Sequence, residues 1–122
     1  MTRVYVDMVA DLFHSGHVAF LRQARELGDV LVVGIHSDED VASYKRLPIC
    51  TMLERVEVVA ACGLVDEVIL EAPLSVDEAW LDRHSLDVVA HGDDFDGASL
   101  QRSYPGALAR GVLRIVPYTP GI

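Results

Sequence analysis

Cysteine is scarce in this chain. Cys50 and Cys62 are the two present, and their spacing makes no C-x-x-C motif and no disulfide framework, so both read as reduced packing residues. Long apolar runs are missing as well. The 51% hydrophobic share is broken into short segments, none near the roughly 18 residues a membrane-spanning helix requires, which argues against membrane insertion. No basic leader and cleavage pattern follow Met1, so no signal peptide is expected and the cytoplasm is the default location. Positive charge is in deficit. Ten basic against nineteen acidic residues leave a formal charge of −9, which opposes binding to a phosphate backbone and sets a nucleic-acid partner aside. Repeats, linkers and low-complexity blocks are absent, and 122 residues suit one hydrophobic core, so a single domain is expected.

What is present is a regular alternation of strand and helix signals. Arg3 to Val9 carries the buried-strand run Val4-Tyr5-Val6. From Ser15 to Leu27, Val18, Leu21, Ala24 and Leu27 recur at helical spacing, with Gly28 as the stop. Val30 to Ile35 is a near-continuous β-branched run, expected of a strand covered on both faces. Ser37 opens a short helix toward Tyr44, followed by the basic loop Lys45-Arg46-Leu47-Pro48. Thr51 with Glu54 predicts a capping box for a helix through Ala61, and Ser75 with Glu78 predicts another for a helix carrying Trp80 and Leu81. Glu67 to Leu70, Asp87 to Ala90 and Val112 to Val116 complete five strands, while Pro105 and Gly106 interrupt any helix between Ser99 and Arg110. This order predicts an α/β fold, a Rossmann-like, doubly wound, five-stranded parallel sheet with ligands at the carboxyl ends of its strands.

Three polar stretches gather at that edge: Asp11-Leu12-Phe13-His14-Ser15-Gly16-His17 after the first strand, the Lys45 loop, and His91-Gly92-Asp93-Asp94 after the fourth. The first is a strand-to-helix turn, where unpaired backbone N–H groups face an anion and two imidazoles can join them. A phosphate contact ranks first for His14 and His17, surface histidines second, and a shared metal third, since no further Cys or His has suitable local spacing. Lys45 is read as functional because basic loops are rare in so acidic a chain. Arg46 and Arg55 have solvated or ion-paired alternatives, and Asp93 and Asp94 could equally form Asx turns. Trp80 reads as helix packing, His84 as a helix end and His36 as a strand end.

These residues resemble those of the H-x-G-H nucleotidyltransferases, and within them the cytidylyltransferases. The resemblance covers the whole chain in order: Asp11 to His17, Ala42-Ser43-Tyr44-Lys45-Arg46-Leu47-Pro48 as a lysine loop, Glu54-Arg55, Val65-Asp66-Glu67-Val68, and His91-Gly92-Asp93-Asp94. The segment from His36 to Pro73 is most similar to ethanolamine-phosphate enzymes, whereas the lysine loop and Pro117-Tyr118-Thr119 are more similar to phosphonate-pathway enzymes. The resemblance implies transfer of CMP from CTP to a small phosphorylated alcohol or phosphonate, with pyrophosphate released and Mg²⁺ as companion. It implies that His14, His17 and Lys45 are catalytic, holding the transferring phosphoryl group, the departing oxygen and phosphate charge. It also implies a nucleotide or acceptor pocket from Val9, Ala10, Asp11, Gly16, Arg55, Gly92, Asp93, Asp94, Tyr118, Thr119, Gly121 and Ile122, and a homodimer.

Two departures accompany the resemblance. Many relatives carry glycine where Met8 stands, and the phosphonate-pathway relatives carry it at Asp7. Asp7 is thus a carboxylate beside an expected anion site, able to bind a cation, to read an acceptor amine or to mark lost activity. Relatives also continue past Gly121-Ile122 into a Ser/Thr-rich helix start that contacts the triphosphate, so a continuing tail, or a segment from elsewhere, is expected to complete the site. Two other functions stay open: an adenylyltransferase using ATP on the same fold, and a catalytically silent nucleotide-binding or interaction domain.

Overall fold

All five expected strands form, and all pair in parallel. In the computed structural model, which describes residues 1–117, β1 (Arg3–Met8), β2 (Val30–Ile35), β3 (Glu67–Leu70), β4 (Val88–Gly92) and β5 (Leu113–Val116) make one sheet in the order β3-β2-β1-β4-β5. Tyr118, Thr119, Gly121 and Ile122 lie outside the described residues. The chain runs outward from β1 through β2 to β3, then returns to the far side of β1 for β4 and β5. The strand order therefore reverses between β1 and β4, and a crevice opens there at the carboxyl ends.

The continuous apolar runs are explained by helices on both faces. Val4 and Val6 of β1 and Leu31 and Val33 of β2 pack with Leu21 and Ala24 of α1 (Ser15–Arg25) and Val59 of α3 (Met52–Ala60). Tyr5, Val32 and Val89 face the opposite layer, with Leu81 of α4 (Glu78–Arg83) and Ala107 of α6 (Pro105–Arg110). Strand side chains alternate with a period of two, so Asp7 shares the Tyr5 face, and β1 carries a carboxylate inward at its last residue but one.

Local signals explain most element ends. Thr51 and Glu54 form their capping box, and Ser37 caps α2 (Asp38–Ala42) through Asp40 N–H. The expected box at Ser75 and Glu78 does not form. The N-cap of α4 is Asp77, whose carboxylate accepts from Trp80 N–H at 2.8 Å, because Val76 is drawn into the core and its N–H donates to the Ser103 carbonyl. Pro105 divides the uncertain segment into α5 (Gly97–Ser103) and α6, standing at the first turn of the latter, where its missing N–H costs nothing. Gly34 on β2 is required by packing: a Cβ there would lie 2.2 Å from the Tyr5 hydroxyl and 2.7 Å from Ala72 Cβ.

Candidate functional site

Beyond β1 the backbone turns sharply. Ala10 and Leu12 hold φ of 58° and 51°, a left-handed region that costs a non-glycine residue on the order of 1–3 kcal/mol each. The turn aims the N-terminus of α1 into the crevice. His14 is the N-cap, and its Nδ1 accepts from Gly16 N–H at 3.0 Å, while His17 Nδ1 accepts from His14 N–H at 3.0 Å. With both Nδ1 lone pairs so engaged, each neutral ring carries its hydrogen on Nε2. Partial burial, then the neighbouring His14, push His17 below the ordinary histidine range, which favours that neutral donor form. The rings sit 4.2 Å apart between centroids, and Phe13 stacks on His17. The result is a rigid pair of Nε2–H donors beside a helix N-terminus, suited to phosphate oxygens.

A cavity of about 910 Å³ opens from this turn. It gathers Val9, Ala10, Asp11, His14, Gly16 and His17 from the turn, Lys45 from the basic loop, and Gly92 and Asp94 from the end of β4. Lys45 is exposed, its ammonium 5.8 Å from the Tyr44 ring centroid. Asp11 lines the cavity and also clamps the loop: its carboxylate accepts from Ile49 N–H at 2.9 Å and Cys50 N–H at 3.0 Å, which holds its pKa below the usual carboxylate range. The fold thereby ties the basic loop to the histidine turn.

Two expected pocket residues stand apart. Asp93 is exposed and does not border the cavity. Arg55 is 1% exposed and lies behind the wall: its guanidinium donates to the carbonyls of Val9 (2.6 Å), His36 (2.9 Å) and Cys50 (3.2 Å) and to Asp38 Oδ1 (2.8 Å). Four of its five N–H donors are thus engaged by the protein itself, and the cation braces the loops that carry the site.

The floor centres on Asp7, the carboxylate expected beside the anion site, and adds Tyr104 and Arg102, which the sequence had not singled out. The Asp7 side chain is 6% exposed and accepts from the Tyr104 hydroxyl at 2.6 Å, with His36 Nε2 at 3.9 Å from its other oxygen. Burial pushes the Asp7 carboxyl up, against the opposing influence of His36, the Tyr104 hydrogen bond and His91. Burial, then Asp7, push the Tyr104 phenol up, so it remains a donor. The His91 ring packs against Tyr104 and Phe95, with centroids 5.1 and 4.3 Å away. Arg102 of α5 adds a cation to the wall, tethered to Ser99 Oγ at 3.1 Å. For Asp7 the available signals were its strand parity and its standing where phosphonate-pathway relatives carry glycine. Tyr104 had none, because it arrives from 97 residues away.

The cavity therefore has two chemical ends, hydrogen-bond donors and a lysine around the α1 N-terminus, and a carboxylate with aromatic rings beneath. A parallel sheet with such a cleft at its switch point is the layout of a ligand-binding, doubly wound α/β protein. More narrowly, the chain belongs to the cytidylyltransferase-like family, whose model matches residues 8–110. It is 45% identical over 121 residues to an ethanolamine-phosphate cytidylyltransferase of Dictyostelium discoideum, covering 98% of this chain and 34% of that protein. It is 39% identical over 121 residues to a probable ethanolamine-phosphate cytidylyltransferase of Encephalitozoon cuniculi, covering 98% of this chain and 38% of that protein. The chain thus spans little more than a third of these curated relatives. Among solved structures, a lipopolysaccharide core biosynthesis protein from Thermoplasma volcanium superposes with a TM-score of 0.77 at 28% identity, over 98% of this chain and 97% of that one.

Proposed function

We propose that this chain transfers CMP from CTP to a small phosphorylated amino alcohol of the phosphoethanolamine type. An oxygen of the acceptor phosphate attacks the α-phosphorus, a new P–O–P linkage forms, and the bond to pyrophosphate breaks. The acceptor oxygen is already ionised at neutral pH, so the chain's task is to hold like charges together rather than to remove a proton. In this reading the Nε2–H groups of His14 and His17, with the backbone N–H groups of the α1 N-terminus, hold the transferring group and the departing oxygen. Lys45 neutralises phosphate charge from the loop. Gly92 and Asp94 belong to the pocket wall, and Asp7 takes the acceptor's ammonium.

The single observation that carries this reading is the pairing, in one cavity, of an anion grip with a buried carboxylate about which aromatic rings cluster. A zwitterion, phosphate at one end and ammonium at the other, complements both. An acceptor such as 2-hydroxyethylphosphonate lacks the cation, and leaves Asp7 unanswered.

Mg²⁺ belongs to the proposal as the companion of the CTP phosphates. Among the described residues no group of three or more His, Cys, Asp or Glu could hold a metal ion, and in this reading the ion arrives with the nucleotide phosphates. A homodimer is part of the same reading, supported by exposed Leu53 and Val58 on α3 and exposed Leu70 on edge strand β3. So is a cytoplasmic location; among the described residues no helix is long and apolar enough to cross a membrane.

The test is pyrophosphate release with CTP or ATP against phosphoethanolamine, phosphocholine, glycerol 3-phosphate and 2-hydroxyethylphosphonate. Turnover should be highest with CTP and phosphoethanolamine, and His14→Ala or His17→Ala should lower kcat by roughly a hundredfold or more, as expected for lost transition-state donors. Preference for ATP, or nucleotide binding without turnover of any acceptor, would overturn it.

A further inference from the structure

His36 follows β2 and enters the cavity floor beside Asp7, and nothing in the phosphate chemistry uses it. Its side chain is 8% exposed. Nδ1 lies 3.0 Å from the Ala72 carbonyl oxygen, which can only accept, so that nitrogen carries a hydrogen. In its neutral form the ring presents a lone pair at Nε2, the atom facing Asp7. The two groups do not hydrogen-bond to each other: Nε2 stands 3.9 Å from Asp7 Oδ2, beyond hydrogen-bond reach. Asp7 Oδ1 is already engaged by the Tyr104 hydroxyl, so Oδ2 is the carboxylate oxygen left to a ligand.

A nitrogen that donates two N–H bonds of about 2.9 Å each spans acceptors roughly 4–5 Å apart. The 3.9 Å between Nε2 and Oδ2 lies just under that span, so one nitrogen can reach both acceptors with the angle between its two bonds drawn in below tetrahedral. The Tyr104 oxygen, having given its hydrogen to Asp7, retains a lone pair for a third N–H. The other components of the floor, the Asp7 charge and the rings of His91, Phe95 and Tyr104, attract any cation and are indifferent to whether it bears hydrogen or methyl. A lone pair is different, since it rewards N–H and is left buried and unpaired against a methyl.

We propose that His36 Nε2 is a specificity-determining acceptor that selects a primary ammonium over its N-methylated forms in the acceptor substrate. This rests on the proposed acceptor chemistry and deepens it: His36, by accepting one N–H, would distinguish an ethanolamine head group from a choline head group on a floor otherwise tolerant of both.

The experiment measures kcat and KM for the full chain with CTP and four acceptors: phosphoethanolamine and its N-monomethyl, N-dimethyl and N-trimethyl derivatives. Two variants accompany the wild type. In His36→Asn the amide nitrogen can keep the bond to the Ala72 carbonyl while the Nε2 acceptor is lost. In His36→Gln the longer amide can replace that acceptor. Wild type should favour the primary amine over the trimethyl form by roughly tenfold to a hundredfold in kcat/KM, the scale of one hydrogen bond to a charged group. His36→Asn should flatten the series, chiefly through a higher KM for the primary amine, with CTP KM and melting temperature little changed, and His36→Gln should restore part of the preference. A wild-type preference that survives in His36→Asn overturns the inference, as does a KM increase equal for all four acceptors. If wild type turns over none of the series, the proposed function falls and this inference with it.

Discussion

Arg55→Met separates a bracing role from a phosphate contact. Methionine retains much of the arginine stem's packing but removes four hydrogen bonds, to the carbonyls of Val9, His36 and Cys50 and to Asp38. Each bond from a charged donor is worth about 1.5–3 kcal/mol, yet the sum overstates the loss, because the buried guanidinium also had to be desolvated. Asp38, whose side chain is 33% exposed, can return to water, whereas the carbonyls of Val9 and His36 lose their cationic donor inside the fold. Removing one partner of such a buried network costs about 3–5 kcal/mol. For a domain of this size that corresponds to a fall in Tm of roughly 10–20 °C. Thermal unfolding followed by circular dichroism gives the shift, and calorimetric titration with CTP well below the transition gives affinity. The expected result is a large loss of Tm with CTP affinity kept within about threefold. Arg55→Lys should lose more than half as much stability, since one ammonium cannot serve four acceptors arranged around a planar fork. A variant with wild-type Tm and a CTP affinity reduced tenfold or more would refute the reasoning and return Arg55 to the nucleotide.

Asp7→Asn tests the floor through pH. Burial raises the folded-state pKa of Asp7 above the ordinary carboxylate range, so over that window the folded chain holds a proton the unfolded chain has lost; stability from this group is full below about pH 4 and declines as pH rises through the raised value. The asparagine variant should therefore melt higher than wild type at pH 7, with the gap closing toward pH 4, while acceptor KM rises at least roughly tenfold. A lower Tm at pH 7 with unchanged acceptor KM counts against the assignment. Gly34→Ala should cost about 1–3 kcal/mol by overpacking, because the new methyl meets the Tyr5 hydroxyl and Ala72; an unchanged urea midpoint would contradict that packing. Lys45→Ala should raise CTP KM and weaken its dependence on ionic strength without lowering Tm, since Lys45 is exposed at the cavity. A CTP KM as salt-sensitive as that of wild type would remove Lys45 from the phosphate contacts.

Much of this architecture was legible in local patterns. The β-branched runs of β1 and β2, the helical spacing of α1 and the Thr51 box act within a few residues, and all appear in the fold. The Ser75 box failed because a competing signal two residues on, Asp77, met the demand of Val76 for the core. In the site, the turn from Asp11 to His17 was readable because its chemistry is contiguous: two imidazoles cap one helix, using hydrogen bonds only two and three residues apart.

By itself, then, the sequence determined the alternation of elements, the parallel sheet it requires and the anion grip at the start of α1, since each follows from periodicity or hydrogen bonding along a short stretch. Tertiary structure alone decided what the opposite end of the cavity is. Asp7 met Tyr104 and His36 only when three distant segments converged at the switch point, and Arg55 was turned away from the cavity because three backbone carbonyls and Asp38 surrounded its guanidinium. Charge is visible in a sequence, but which charges are buried, and against what, depends on contacts whose partners lie far apart along the chain.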